Sequence, residues 1–122
     1  PRIVREVRDS QGRVIRDFGP ESYGQVMDER SARELTQMML AVVNEGTGTA
    51  AQIPGIQVAG KTGTATNGEG RPPNAWFTAF AGGRARQIAV SVIVLDGGNL
   101  GNEATGGQVA APIVRQVIDA YL

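Results

Sequence analysis

Val58-Ala-Gly-Lys-Thr-Gly-Thr-Ala65, then Ala75-Trp-Phe-Thr-Ala-Phe-Ala81, then Gln87-Ile-Ala-Val-Ser-Val-Ile-Val-Leu95 is the stretch of sequence that decides the fold. Residues 56–59 read as a strand running into Lys61, because Ile56 and Val58 are β-formers and Pro54-Gly55 supplies a turn before them. Residues 66–73, Thr-Asn-Gly-Glu-Gly-Arg-Pro-Pro, consist of breakers and polar groups and predict an exposed loop. Residues 75–81 alternate aromatic and small side chains, and 87–95 are strongly β-branched; the short link Gly82-Gly83-Arg84 between them permits antiparallel pairing. Three strands therefore come one after another, with Trp76, Phe77 and Phe80 expected to pack in the core or on a sheet face.

Upstream, Ser31 and Glu34 form an S-x-x-E capping box, and Leu35, Met38, Met39, Val42 and Val43 fall on one helical face, so a helix is expected from Ser31 to a stop at Gly46. The two methionines share that register and read as core filler. Residues 2–18 read as a β-hairpin around Asp9-Ser10-Gln11-Gly12, with Arg-rich faces that suit an exposed ribbon leaning on something larger. Downstream of the polar, Gly-rich segment 96–107, Ala110, Ile113, Val114, Val117, Ile118 and Tyr121 make the apolar stripe of a last helix, and Pro112 marks its first turn or a kink. The sum is α+β: an antiparallel sheet of about three to five strands flanked by helices, with the C-terminal helix packed on the sheet.

The 122 residues carry twelve basic and twelve acidic side chains and are 41% hydrophobic, enough for a single modest core. Balanced charge argues against nucleic acid or an anionic membrane surface as partner. The longest apolar run, 88–95, is far short of the roughly 20 residues that cross a bilayer. His and Cys are both absent, which removes disulfides, thiol nucleophiles, His- or Cys-based zinc sites and every triad with an imidazole base. Nucleophile and base chemistry is left to Ser, Thr, Tyr, carboxylates and Lys61, the one lysine.

Lys61 has two readings. Gly55-Ile-Gln-Val-Ala-Gly-Lys-Thr62 matches the phosphate-loop pattern G-x-x-x-x-G-K-[ST], and 88–96 imitates the apolar strand that ends in a magnesium-binding Asp. A phosphate loop must open a helix, however, and the segment after Thr62 carries Gly63, Asn67, Gly68, Gly70, Pro72 and Pro73, which cannot start one. In the second reading, 61–65 ends a strand that borders an active site. A cation, two hydroxyls and a glycine then line one sheet edge, where Lys61 supplies charge, Thr62 and Thr64 donate hydrogen bonds to a carboxylate, and Gly63 lets a substrate backbone approach as an added strand.

The run 58–65 followed by 75–81 closely resembles the penicillin-binding proteins, the serine D,D-transpeptidases that crosslink bacterial cell wall. Pro1-Arg-Ile-Val-Arg5, the run 39–48 ending Val42-Val-Asn-Glu-Gly-Thr-Gly48, and Gly106-Gly-Gln-Val-Ala-Ala-Pro112 extend the likeness, to class B members, over essentially the whole chain. The resemblance implies the β-lactamase/transpeptidase-like fold, a peptidoglycan stem peptide ending in D-Ala-D-Ala as substrate, β-lactam antibiotics as acylating ligands, and no cofactor. It also implies roles: Lys61 stabilises developing charge, Thr62, Gly63 and Thr64 bind the carboxylate end of the ligand, and the Thr64 N–H is an oxyanion donor. In that family the nucleophile is the Ser of S-x-x-K, helped by an S-x-N motif. Ser10, Ser22, Ser31 and Ser91 have Arg13, Gln25, Glu34 and Val94 three positions on, and none has Asn two positions on. Residues 1–122 are therefore expected to be the C-terminal part of a transpeptidase domain, inactive alone, whose partner is the N-terminal remainder of the same enzyme; Pro1 in place of an initiator Met fits a cleaved or truncated piece. The family location is the outer face of the cytoplasmic membrane, through an anchor outside this chain. Residues 67–73 are expected to be a mobile loop beside the cleft, and a noncatalytic interaction module docking through the Arg-rich hairpin is the third reading.

Overall fold

A computed structural model describes residues 3–22, 24–83 and 85–122; Pro1 and Arg2 of the expected hairpin and Arg84 of the expected 82–84 link lie outside the described residues, as does Tyr23. The chain runs through a two-stranded hairpin, β1 (Glu6–Arg8) and β2 (Val14–Asp17), then α1 (Glu29–Asn44), then β3 (Val58–Ala65), β4 (Asn74–Gly82) and β5 (Gln87–Val94), and ends in α2 (Ala111–Tyr121). β3, β4 and β5 form an antiparallel sheet in that spatial order, with Lys61 opposite Thr78 and Thr78 opposite Ser91. The α+β expectation holds, with the strands divided between a two-stranded and a three-stranded sheet.

β4 positions everything else. Its side chains alternate strictly, so Ala75, Phe77, Ala79 and Ala81 are buried while Trp76, Thr78, Phe80 and Gly82 lie on the other face. Three alanines around one phenylalanine leave room for helices to approach closely, and Phe77 fills the space between them. Val43 from α1 and Val114 and Ile118 from α2 complete this core. Trp76 and Phe80 are 40% and 38% exposed, so of the three aromatics only Phe77 belongs to the interior. Their face is open; on it Thr78 and Ser91 share a hydrogen bond of 2.8 Å.

α1 begins earlier than the capping box predicts. Asp28 is the N-cap, and its carboxylate accepts from Ser31 N at 2.8 Å and Ser31 Oγ at 2.9 Å. Ser31 thus lies inside the helix, and Glu34 pairs with Arg30 rather than with a backbone N–H. The predicted apolar face is only partly covered: Val43 is buried and Met39 and Val42 are half-buried, but Leu35 is 41% and Met38 61% exposed, which corrects the reading of Met38 as core filler. The C-terminus of α1 is held by Gln52, whose Nε2 donates to the carbonyls of Val43 and Asn44.

β3 starts at Val58 and continues through Lys61 to Ala65, two residues later and four longer than the predicted 56–59. The 96–107 segment is built from short turns, Leu95–Gly97 and Gly101–Glu103, followed by one π-type turn at Gly106–Ala110 that leads into α2. Pro112 sits in the first turn of α2, where its missing N–H costs nothing. Of the predicted stripe, Ala110, Val114 and Ile118 are buried, whereas Ile113, Val117 and Tyr121 are between 41% and 47% exposed. Among the described residues no helix is long and apolar enough to cross a membrane.

Candidate functional site

Lys61, Thr62, Gly63 and Thr64 are consecutive residues of β3, and β3 is an edge strand: β4 pairs with one side and no described strand pairs with the other. An unpaired edge presents a row of backbone N–H and C=O groups to an extended ligand. Because side chains alternate, Lys61 and Gly63 stand opposite Thr78 and Trp76 on the open face, while Thr62 and Thr64 stand opposite Phe77 and Ala75 on the helix-covered face. The cation and the two hydroxyls thus leave the strand on opposite faces. Lys61 is exposed and bends back so that Nζ donates to the Thr62 carbonyl, and among the described residues it has no carboxylate partner. Its ammonium is left at the strand edge with donor capacity to spare.

Thr62 is half-buried, and its Oγ1 shares a 2.8 Å hydrogen bond with Oγ1 of Thr47, in the loop after α1. That contact fixes the Thr62 rotamer and leaves the two hydroxyls one spare proton between them for a ligand oxygen. Thr64 is exposed and pairs with the fully buried Ala75. Gly63 lies close to Trp76: a Cβ at 63 would come within 3.2 Å of the Trp76 Cβ and would need Trp76 to give way by a few tenths of an ångström.

Beneath the strand, on the helix side, lies the glycine pair that opens the π-type turn. A Cβ at Gly106 would sit 2.8 Å from the Gly63 carbonyl oxygen, 3.0 Å from the Gly63 nitrogen, and on top of the Trp76 carbonyl oxygen. A Cβ at Gly107 would collide with the Thr47 carbonyl and touch the Thr62 methyl at 3.6 Å. Two missing side chains therefore let the start of the C-terminal helical segment come close to the Gly63 backbone and to the Thr47–Thr62 pair. Sequence reasoning missed Thr47 and this glycine pair. The Gly-Gly doublet just ahead of an apolar helix was the available signal, but only packing shows what the glycines approach.

The phosphate-loop reading fails on geometry. Residues 58–65 are strand throughout and the next element is β4, so Thr62 does not open a helix whose N-terminus could receive a phosphate. Asp96, the imitation magnesium ligand, is occupied by Arg71 at 2.9 and 3.0 Å and by Asn67 at 2.7 Å. The groove lined by Val43, Gln52, Ile53 and Arg115, about 510 Å³, lies at the Val58 end of β3, at the other end of the strand from Thr64.

Comparison with known proteins agrees with this fold. The family model of the penicillin-binding protein transpeptidase domain matches residues 1–119. The peptidoglycan D,D-transpeptidase PbpA of Mycolicibacterium smegmatis is 38% identical over 125 aligned positions, covering 100% of this chain and 25% of its own length. PbpA of Mycobacterium tuberculosis is 45% identical over 94 positions, 75% of this chain and 19% of its own. Among solved structures, penicillin-binding protein A from M. tuberculosis, captured as an imipenem acyl-enzyme complex, superposes with a TM-score of 0.72 at 33% identity, over 96% of this chain and 26% of that one. The D,D-transpeptidase domain of a peptidoglycan glycosyltransferase from Eggerthella lenta gives 0.73 at 29% identity, over 94% and 25%. The chain thus spans about a quarter of the relatives it matches end to end. With a family match over nearly every residue and the fold to go with it, the chain belongs to the penicillin-binding protein transpeptidase domain family.

Proposed function

We propose that residues 1–122 are the C-terminal part of a serine-type D,D-transpeptidase domain and supply the Lys61–Thr64 wall of its active site. The observation that carries this reading is the placement of Lys-Thr-Gly-Thr on the unpaired edge of the sheet, with Lys61 and Thr64 exposed. The nucleophile and its acid–base partners come from the remainder of the same enzyme. A peptidoglycan stem peptide ending in D-Ala-D-Ala, or a β-lactam, lies along the free edge of β3. Thr62 and Thr64 hold its terminal carboxylate, Lys61 offsets the charge that develops on acyl transfer, and the Thr64 N–H is one of two oxyanion donors. Gly63 keeps the ligand backbone close. The chain alone is inert because it carries no serine with the nucleophile spacing, and an oxyanion hole with one donor missing loses a further factor on the order of 100 or more in rate. The enzyme acts at the outer face of the cytoplasmic membrane, held by an anchor elsewhere in the protein.

The test is acylation of the full-length protein by a fluorescent penicillin, followed by denaturing electrophoresis and intact mass. Lys61→Ala and Thr62→Val are each expected to slow labelling on the order of 100-fold while leaving the melting temperature within a few degrees of the parent. Labelling of both variants at the parental rate removes these residues from the site, and an unlabelled parent refutes the transpeptidase reading.

A further inference from the structure

The segment 66–73 comes directly after the Lys61–Thr64 strand, and three side-chain hydrogen bonds tie it to the far side of the sheet. Asp96 lies two residues past the end of β5. Its carboxylate receives both Arg71 Nη2 contacts, at 2.9 and 3.0 Å, and Asn67 Nδ2 at 2.7 Å. Its own backbone N–H donates to Asn74 Oδ1 at 3.0 Å, and Asn74 is the first residue of β4. Next to it, Pro72 flanks Gly97, where a Cβ would lie 3.4 Å from the proline Cβ. Asp96 adopts φ +50°, alone in the left-handed region among described non-glycine residues.

The direction of these contacts matters. Asn67 is two residues past β3, yet its side chain reaches a carboxylate beyond β5, across two inter-strand spacings of about 4.8 Å each. The loop is therefore drawn over the end of β4 and away from the unpaired edge of β3, which stays uncovered at Lys61 and Thr64. We infer that Asp96 is a positioning residue: together with Arg71 and Asn67 it forms a polar lock that keeps the 66–73 loop off the ligand-binding edge of β3. The inference rests on the transpeptidase reading for what binds at that edge, and on the geometry alone for the lock.

Two variants isolate it in the full-length protein. Asp96→Asn keeps a side chain tolerated at positive φ and an acceptor for Asn67 but removes the charge that Arg71 faces; Arg71→Ala removes the other half. Loop release is read by cleavage after the exposed Glu69 with a glutamate-specific protease, since the Arg71–Pro72 bond resists trypsin. Each variant is expected to be cut about five-fold faster than the parent, and the double variant no faster than either, because both break one interaction. The concentration of fluorescent penicillin that half-saturates acylation is expected to rise about three- to five-fold, with the limiting acylation rate within about two-fold of the parent. A lock that merely stabilised the fold would not separate those two constants.

Unchanged cleavage after Glu69 overturns the lock, and faster cleavage with unaltered half-saturation overturns its service to the site. A fall in the limiting rate alone overturns the positioning role. A parent that takes up no penicillin defeats the transpeptidase reading and this inference with it, while a labelled parent with indifferent variants defeats the inference only.

Discussion

The β1–β2 hairpin and the β3–β4–β5 sheet are both antiparallel, yet only the larger one has a buried face. In the hairpin every apolar side chain of the strands, Val7, Val14 and Ile15, is at least 40% exposed, and its contacts are local: Asp9 accepts from Gln11 N, Arg13 N and Arg13 Nε. In the larger sheet one face of β4 is sealed against α1 and α2 by Phe77, Val43, Val114 and Ile118. Ladder hydrogen bonds are common to both, so the difference is the buried face, and an isolated two-stranded ribbon is marginal without one.

Truncating the residue that unites the larger sheet with its helices breaks that contrast most severely. Phe77→Ala is expected to cost about 3–5 kcal/mol in urea unfolding, against at most about 0.5 kcal/mol for Ile15→Ala in the hairpin. Comparable losses at the two sites would mean that the hairpin is packed in solution. Gly106→Ala comes next, at roughly 1–3 kcal/mol, because its methyl group has only the rigid carbonyl of Trp76 and the backbone of Gly63 to displace. Trp76 fluorescence reports whether β3 and β4 shift. An unaltered spectrum and melting point would show that the helical segment can retreat without moving the strand.

Acid sharpens the comparison with the smallest effect. The Arg13 backbone N–H, then its guanidinium, with Gln11 N–H adding to them, hold the Asp9 carboxyl below its ordinary 3.8, and the Ser31 N–H and hydroxyl do the same for the α1 cap Asp28. Both carboxyls titrate lower in the folded chain than in the unfolded one. Their contributions are therefore complete above about pH 4 and fade as pH falls below it through the depressed values. Among the described residues no ionisable side chain is buried in the core around Phe77 and Val114. Between pH 6 and pH 3 the amide resonances of Gln11 and Arg13 should move first, with Trp76 fluorescence constant; a parallel change at Trp76 would tie hairpin and sheet into one cooperative unit.

Legibility tracked sequence distance. Strands β4 and β5 were readable almost to the residue because a two-residue period and a Gly-Gly link are local signals. The start of α1 was misread because Asp28 and Ser31 both suit a cap, and only the backbone at Asp28, with ψ 162°, decides which is outside the helix. The apolar face of α1 was legible as a pattern but not as a contact, since helical spacing says which residues align and not whether anything covers them.

The same division runs through the candidate site. Sequence alone determined that imidazole and thiol chemistry are absent, that Lys61 heads a strand-borne Lys-Thr-Gly-Thr run, and that no serine here has the family's nucleophile spacing. Each rests on residue identity at fixed short offsets. Tertiary structure decided that β3 is an edge strand, that the Thr62 side of it is the one facing Phe77 and the helices, that Thr47 clasps Thr62, and that Asp96 draws Arg71 and Asn67 across the sheet. These depend on contacts between residues 15 to 29 positions apart, set by which surfaces must be buried together rather than by any local preference.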